Sequence, residues 1–337
     1  HRMRETIAAI ASKETIAMKR SLHVIVLLIV AAVLVFAGSG CKKGGSKPTI
    51  AVIPKGMTHS FWISVREGAE KAGRELGYEI AWQGPVRERD VEAQVQIVED
   101  FVQQGVKGVV LAPVDDGGLV PKVEQLAEKK IPCVIIDSGV KSDKYVSFVA
   151  TDNYEGGRIA ARRMGKILNG KGRVMVVKYQ PNSDSTTARE NGFIETIEKE
   201  FPGIKIAAAE YGEDTVETAL ARVEDMLTAN PDLQGLFACN QSTSLGALQA
   251  LKSCKRSEVK MIGFDADRAL VGALQAGQID SLVIQNPYKM GYEGVRTLVA
   301  HIRGQQVPRN IDTGAKLVTM ESLNDPEVKE ALDPQLR

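Results

Sequence analysis

An α/β fold with two doubly wound parallel-sheet lobes is predicted by three features of the chain. Short β-rich runs alternate with amphipathic helical stripes from Thr49 onward, the runs are apolar throughout, and they divide into two groups of five near Thr151–Asp152. Continuous apolar strands between helices indicate parallel sheets covered on both faces. With 337 residues, 44% of them hydrophobic and 25% charged, the chain is long enough for two globular domains.

The predicted strands are short apolar runs separated by helical patterns. The first group is TIAVI, YEIAW, GVVLA, CVIID and VSFVA, and the second is RVMVV, IKIAAA, GLFAC, VKMIGF and SLVIQ. One helical stripe between them consists of Val91, Val95, Val98 and Val102 and is ended by Gly105. In open sheets of this kind, ligands bind in a crevice at the carboxyl ends of the strands.

The N-terminal segment, residues 1–41, is predicted to be an upstream extension followed by a secretory signal peptide. After the first 17 residues, a basic start at Lys19 and Arg20 precedes an uncharged apolar run over 24–37 and then small residues. The run is shorter than the about 20 apolar residues of a membrane-spanning helix. Export is therefore expected, with an uncleaved membrane anchor as the alternative.

The residues around Cys41 resemble the lipobox of bacterial lipoproteins, in which the cysteine is lipidated and becomes N-terminal after cleavage. The match is GSGC, with Gly38 where leucine is usual, and a polar linker follows at 42–47. This resemblance implies that the exported chain is held at the membrane, in the periplasm or cell envelope, by a lipid on Cys41.

Charge and cysteine usage exclude several classes of function. The formal net charge is +1, and no block of like charges is present, so nucleic-acid binding is not expected. Cys133 and Cys239 lie in predicted core strands and Cys254 near a helix end, which indicates free thiols rather than a disulfide framework. No CxxC motif is present and histidines are few, so neither a metal site nor a cofactor is predicted.

Polar or aromatic side chains follow the predicted strands directly, where a crevice is expected. They are His59, Phe61, Trp62, Pro113, Asp115, Asp116, Asp137, Ser138, Asn240, Gln241, Asp265, Gln285 and Asn286. An aspartate or asparagine after a strand is commonly a helix cap, but six such positions around one crevice indicate a binding site. Ser60 is a plausible N-cap, and Trp62 is either the top of a core stripe or a wall of the crevice.

The order of several segments resembles the type I periplasmic sugar-binding proteins of ABC transporters, close to the ribose-binding group. The matching segments, from about 48 to 319, are HSFWISVREGAEKAGRELGYEI, IPCVIIDS, ATDNYEGGRIAA, STTARENGF, LFACNQSTSLGALQAL, MIGFDADRALVGAL and IQNPYKMGYEGV. The resemblance implies two lobes joined by a hinge of three crossings, near Thr151–Asp152, Gln285–Asn286 and Gly314–Ala315. The implied N-terminal lobe is 48–151 plus 286–314, the C-terminal lobe is 152–285 plus 315–325, and 326–337 is a tail.

The same resemblance implies which residues contact the sugar. They are His59, Phe61, Trp62, Asp137, Ser138, Arg189, Asn240, Asp265 and Gln285. Carboxylates, an arginine and amides suit paired hydroxyls, and flat aromatics suit the C–H face of a sugar. Ser138 stands where the family carries an arginine, so space beside Asp137 is expected. The formal balance of this set is one negative charge, which favours a neutral pentose, hexose or polyol over an anionic sugar.

The implied function is a monomeric solute-binding protein that closes its lobes on a monosaccharide and delivers it to an ABC permease. An enzyme is disfavoured, since no G-x-S-x-G elbow, Walker A loop or G-x-G-x-x-G between strand and helix is present. A transcription regulator with these lobes would need an N-terminal helix-turn-helix, where an export signal stands instead. A sensor that presents a sugar or autoinducer-2 to a receptor kinase stays open as the alternative.

Overall fold

The computed structural model of the protein describes Met3 and residues 47–332. The predicted signal peptide, the lipidation site Cys41 and nearly all of the linker lie outside the described residues, as do residues 333–337. In the described part, no helix has the length and apolar character needed to cross a membrane. Nor do residues 47–332 contain a cluster of three or more His, Cys, Asp or Glu side chains that could hold a metal ion.

Strands and helices alternate along the described chain. The strands are β1 Thr49–Ile53, β2 Glu79–Trp82, β3 Val109–Leu111, β4 Cys133–Ile136, β5 Ser147–Ala150, β6 Gly172–Lys178, β7 Ile204–Tyr211, β8 Gly235–Ala238, β9 Lys260–Phe264, β10 Ser281–Gln285, β11 Asn310–Asp312 and β12 Ala315–Thr319. The helices are α1 Ser60–Leu76, α2 Val91–Gln104, α3 Val120–Glu128, α4 Asn153–Ile167, α5 Asp184–Glu200, α6 Val216–Ala229, α7 Gln241–Ser253, α8 Arg268–Gln275, α9 Pro287–Ile302 and α10 Pro326–Leu332.

Two six-stranded sheets define two lobes. The strand order is β11-β5-β4-β3-β1-β2 in the first sheet and β12-β10-β9-β8-β6-β7 in the second. All pairings are parallel except that of β12 with β10. Each sheet therefore repeats one doubly wound order, in which the direction of winding reverses beside its first strand. The predicted fold class is confirmed, with two edge strands that were not predicted, the parallel β11 and the antiparallel β12.

Apolar cores cover both faces of each sheet, as continuous apolar strands require. In the first lobe, α1 and α9 cover one face and α2 and α3 the other. In the second lobe, α4 and α5 cover one face, while α6, α7, α8 and α10 cover the other. The segment predicted as a tail contributes Val328 and Leu332 of α10 to this last core.

Glycines allow the paired helices on each sheet to cross closely. A β-carbon on Gly68 of α1 or on Gly291 of α9 would overlap a backbone carbonyl of the other helix. In the second lobe, a β-carbon on Gly157 of α4 or on Gly192 of α5 would likewise overlap a backbone carbonyl of the other helix. The α4–α5 crossing matters for the site because α5 carries Arg189, whose own carbonyl faces Gly157.

The chain crosses between the sheets three times, after β5, after β10 and between β11 and β12. Thr151 Oγ1 lies 3.3 Å from Thr313 Oγ1, so the first and third crossings run side by side. The backbone N–H of Asp152 donates to Asp312 Oδ1 at 3.1 Å, which joins the same two crossings. The three connections form the only covalent links between the two lobes of residues 47–332.

Candidate functional site

A cavity lies between the two lobes. Its walls come from both sheets and include residues one or two positions after β1, β4, β6, β8 and β9, together with the last residue of β10. The lining residues are Lys55, His59, Phe61, Trp62, Glu88, Asp137, Tyr179, Ser185, Thr186, Arg189, Asn240, Gln241, Asp265 and Gln285. The cavity therefore occupies the position at which doubly wound sheets bind ligands.

Two aromatic rings form the apolar wall. Phe61 and Trp62 lie at the start of α1, with ring centroids 4.9 Å apart and planes at 89°. Trp62 is only 3% exposed and also packs in the core beneath α1, so it is both a core residue and a cavity wall. Its indole Nε1–H donates to Glu88 Oε1 at 2.6 Å, which fixes the orientation of the ring.

The N-terminus of α1 is completed from the opposite lobe. The helix begins at Ser60, so His59 rather than Ser60 holds the N-cap position, and its side chain makes no capping bond. Gln241 of the second lobe accepts hydrogen bonds at Oε1 from Phe61 N and from Ser60 Oγ, at 3.3 and 3.2 Å. A glutamine thus satisfies an N–H that the helix leaves free, but only while the lobes are together.

Asp137 pairs with a lysine that the sequence prediction did not include. Lys55 Nζ lies 3.1 Å from Asp137 Oδ2, and both side chains are buried. The same ammonium group donates across the cleft to Ser183 and Ser185 at 3.3 and 3.2 Å. The space expected beside Asp137 therefore contains a cation from the end of β1.

Asp265 is held by groups of its own lobe. Gln285 Nε2 donates to Oδ1 at 2.6 Å, and the backbone N–H of Gln241 donates to Oδ2 at 2.9 Å. Burial raises the pKa of Asp265, while Arg189 and Gln285 oppose that rise. Asp137 follows β4, the fourth strand of the first lobe, and Asp265 follows β9, the fourth strand of the second. Both residues adopt left-handed backbone conformations, with φ of 63° and 68°. Such conformations cost energy in a residue with a β-carbon and concentrate at functional sites.

Arg189 organises the second-lobe side of the cavity. Its Nε donates to Asn153 Oδ1 at 2.8 Å and its Nη1 to the carbonyl of Cys239 at 3.0 Å. The guanidinium carbon lies 4.0 Å from the centroid of the Phe264 ring, and Nη1 lies 4.0 Å from Asp265. A planar cation held on three sides keeps its remaining donors in a fixed direction.

Glu190, the next residue of α5, is a buried acid that is not among the residues lining the cavity. Its Oε1 accepts from Tyr179 N at 3.0 Å. Burial raises the pKa of Glu190 to about 7, although Tyr179 N, Lys178 and Arg189 act in the opposite direction. This carboxyl group is therefore partly protonated near neutral pH.

Glu88 joins three side chains from two lobes. Oε1 lies 2.8 Å from His59 Nδ1 and also accepts from Trp62, while Oε2 accepts from the hydroxyl of Tyr179 at 2.7 Å. Burial opposes charge on both partners, but their mutual attraction dominates. The pKa of His59 is raised, and the pKa of Glu88 falls to about 2 with the help of Tyr179 and Trp62.

The charges in the cavity pair among themselves. Lys55 neutralises Asp137, His59 pairs with Glu88, and Arg189 lies beside Asp265. Because Lys55 and Glu88 cancel, the formal balance with a neutral His59 remains one negative charge, and protonation of His59 brings it to zero. The cavity can donate and accept many hydrogen bonds, but it offers no unpaired cation to an anion.

Eight of the nine residues predicted to contact a ligand line this cavity. They are His59, Phe61, Trp62, Asp137, Arg189, Asn240, Asp265 and Gln285. Ser138 does not; its Oγ accepts from Ser185 N at 3.1 Å in a buried contact between the lobes. Asn240 also caps α7, since its Oδ1 accepts from Thr243 N at 3.1 Å. It is therefore both a helix cap and a residue of the cavity wall.

The other strand-end candidates have structural positions outside the cavity. Asp115 accepts from Gly117 N and Gly118 N in a local turn. Asp116 N donates to the carbonyl of Asn182 across the cleft. Asn286 caps α9 through Lys289 N.

Six lining residues were absent from the predicted contact set. They are Lys55, Glu88, Tyr179, Ser185, Thr186 and Gln241. Gln241, which directly follows Asn240, was reached by the strand-end rule but left out of that set. Lys55 and Tyr179 also follow strands, β1 and β6, and could have been found by the same rule. Glu88 lies in an irregular loop and carries no such signal.

Two repeated doubly wound lobes, three crossings and a polar cavity between the strand ends define a two-lobed binding protein. The periplasmic binding protein domain family matches residues 50–306, and the chain belongs to that family. Within it, the chain is similar to the ribose import binding protein of Escherichia coli, with 28% identity over 282 residues that cover 82% of this chain and 92% of that protein. The resemblance to sugar-binding proteins of ABC transporters is confirmed, and the chain is a binding protein rather than an enzyme.

The chain is also similar to solved structures of solute-binding proteins. A carbohydrate transporter solute-binding protein from Agrobacterium radiobacter, in complex with D-arabinose, is 36% identical with a TM-score of 0.83, covering 85% of this chain and 99% of that one. A solute-binding protein from Agrobacterium vitis with bound D-fucose is 35% identical with a TM-score of 0.81, covering 83% and 98%.

Proposed function

We propose that this protein binds a neutral monosaccharide between its two lobes and delivers it to an ABC permease. The observation that supports this most strongly is the charge pairing in the cavity. Lys55, Arg189 and His59 each have a carboxylate partner, so a buried anion would find no cation of its own. Hydroxyl groups, which donate and accept, suit the amides and paired charges, and Phe61 and Trp62 suit a C–H face.

The relatives agree with this ligand class. Their names and bound ligands are ribose, D-arabinose and D-fucose, all neutral aldoses. The ribose relative is an import protein, which favours transport over sensing for this chain. We further propose that the exported chain is a monomer tethered to the membrane by a lipid on Cys41, as the signal pattern suggests.

Sugar binding is expected to change tryptophan fluorescence through Trp62. The chain has two tryptophans, Trp62 and Trp82, so Trp82→Phe leaves Trp62 as the only emitter. Titration of this variant with neutral aldoses and polyols should give a saturable emission change. Trp62→Ala should weaken binding by about 1–3 kcal/mol, as expected for an aromatic anchor.

Trp62→Phe is the matched control for that titration. It should lose the emission change while retaining most of the affinity, since a flat ring remains. An emission change that survives in Trp62→Phe and disappears in Trp82→Phe would place the ligand away from this cavity.

A further inference from the structure

The loop between β2 and α2 contacts the second lobe through three consecutive residues. Arg87 forms a two-point pair with Asp214, Nε to Oδ2 at 3.1 Å and Nη2 to Oδ1 at 2.5 Å. Arg89 Nη1 lies 3.3 Å from Glu213 Oε2. Between them, the carbonyl of Glu88 accepts from Gln180 Nε2 at 3.1 Å. These three residues, Arg87, Glu88 and Arg89, are called the latch segment below.

The acidic partners of the latch segment, Glu213 and Asp214, lie in a loop that is hydrogen-bonded to the end of β6. Glu213 N donates to the carbonyl of Tyr179 at 2.9 Å, and Gly212 N donates to the carbonyl of Lys178 at 2.8 Å. The carboxylate of Asp214 is only 2% exposed, whereas Arg87 is 45% exposed. Opening of the lobes would hydrate Asp214 and separate it from Arg87. The contacts of the latch segment with the second lobe therefore exist only in the closed arrangement.

Glu88 differs from its two neighbours because its side chain also reaches the cavity. One carboxylate oxygen contacts Trp62 and His59 of the first lobe, and the other accepts from Tyr179 of the second. Its side chain lies directly over Gly56, where a β-carbon would overlap it. The same carboxylate therefore bridges the lobes and orients the aromatic wall.

We propose that the latch segment holds the lobes closed, and that Glu88 is the positioning residue that couples this closure to the orientation of Trp62 and His59 in the cavity. The inference rests on the proposed function, since it assigns the latch to retention of the captured sugar. Contacts that exist only in the closed arrangement slow ligand release more than they change ligand entry.

The test measures sugar dissociation and association rates by stopped-flow fluorescence in the Trp82→Phe background. Arg87→Ala should speed dissociation about fivefold and Glu88→Ala about a hundredfold, with association changed less than about threefold. Glu88→Gln retains an acceptor for the indole and should fall between wild type and Glu88→Ala. Arg162→Ala is the matched control because Arg162, which is about as exposed as Arg87, makes a two-point pair with Glu200 inside one lobe. Its rates should equal those of the parent.

Two further readouts separate this role from a general loss of structure. Glu88→Ala should shift the Trp62 emission spectrum, whereas Arg87→Ala should not. Without any sugar, small-angle X-ray scattering should give a larger radius of gyration for Arg87→Ala and Glu88→Ala than for wild type and Arg162→Ala.

The outcomes distinguish the two proposals. If wild type binds no neutral sugar but scattering still separates the latch variants from Arg162→Ala, the proposed function fails and the latch stands. Dissociation rates and radii of gyration equal to those of Arg162→Ala would overturn the latch. An unchanged Trp62 spectrum in Glu88→Ala would overturn the coupling through Glu88.

Discussion

Replacing Arg189 with methionine is expected to abolish detectable sugar binding and to lower the free energy of unfolding by about 3 kcal/mol, because it leaves the buried Asn153 Oδ1 and the carbonyl of Cys239 without their donor. Arg189 is 2% exposed, and every partner it has in the structure, Asn153, Cys239, Phe264 and Asp265, belongs to the second lobe. Lobe opening cannot separate these partners. The loss should therefore appear both in calorimetric titration and in chemical denaturation.

Arg163→Met is the matched control for this variant. Arg163 pairs with Asp280 in the same lobe at 2.6 and 2.9 Å, but both lie at the opposite end of the second sheet from the cavity. It should lower stability by a smaller amount and leave sugar affinity unchanged. Wild-type affinity in Arg189→Met, or equal loss of affinity in Arg163→Met, would contradict the assigned role.

Replacing Lys55 with methionine should weaken sugar binding about a hundredfold while the unfolding midpoint changes little. The charge of Asp137 is buried only while the lobes are closed. Lys55 and Asp137 are buried between the lobes, and two of the hydrogen bonds of Lys55 cross the cleft. Without the lysine, opening hydrates Asp137, so the unpaired charge disfavours closure rather than folding.

A double-mutant cycle sharpens this prediction. Asp137→Asn removes the unpaired charge, so the loss in Lys55→Met/Asp137→Asn should be smaller than the sum of the two single losses. Lys122→Met, which breaks a pair with Glu99 between α2 and α3 of the same lobe, should leave affinity unchanged. A large loss of unfolding free energy in Lys55→Met would show that the pair supports the fold itself.

The fold was predictable because each element obeys local rules. The valine stripe from Val91 to Val102 forms α2, and Gly105 ends it with a left-handed φ of 74°. The strands were found from their apolar runs, to within one or two residues at the ends. β11 and β12 escaped prediction because both are edge strands whose residues are mostly exposed or half-exposed, so they show neither a continuous nor an alternating apolar pattern.

The site was predictable where a side chain follows a strand, and not where it depends on a distant partner. Asp137 and Asp265 were found because the carboxyl ends of parallel strands meet at one crevice. Glu88 could not be found this way, since its position depends on Trp62, His59 and Tyr179 meeting across two lobes. Lys55 follows β1 and was within reach of the strand-end rule, but its pairing with Asp137 could not be predicted because it depends on the fold.

Calorimetric titration of the purified protein with neutral pentoses, hexoses and polyols, alongside the matching uronic acids and sugar phosphates, tests the central claim most directly. Because every charge in the cavity already has a partner, at least one neutral sugar should bind with a Kd of about 1 μM or tighter, and its anionic derivatives should bind at least about a hundredfold more weakly. Tight binding of a phosphate or uronate, with no neutral sugar bound, would contradict it.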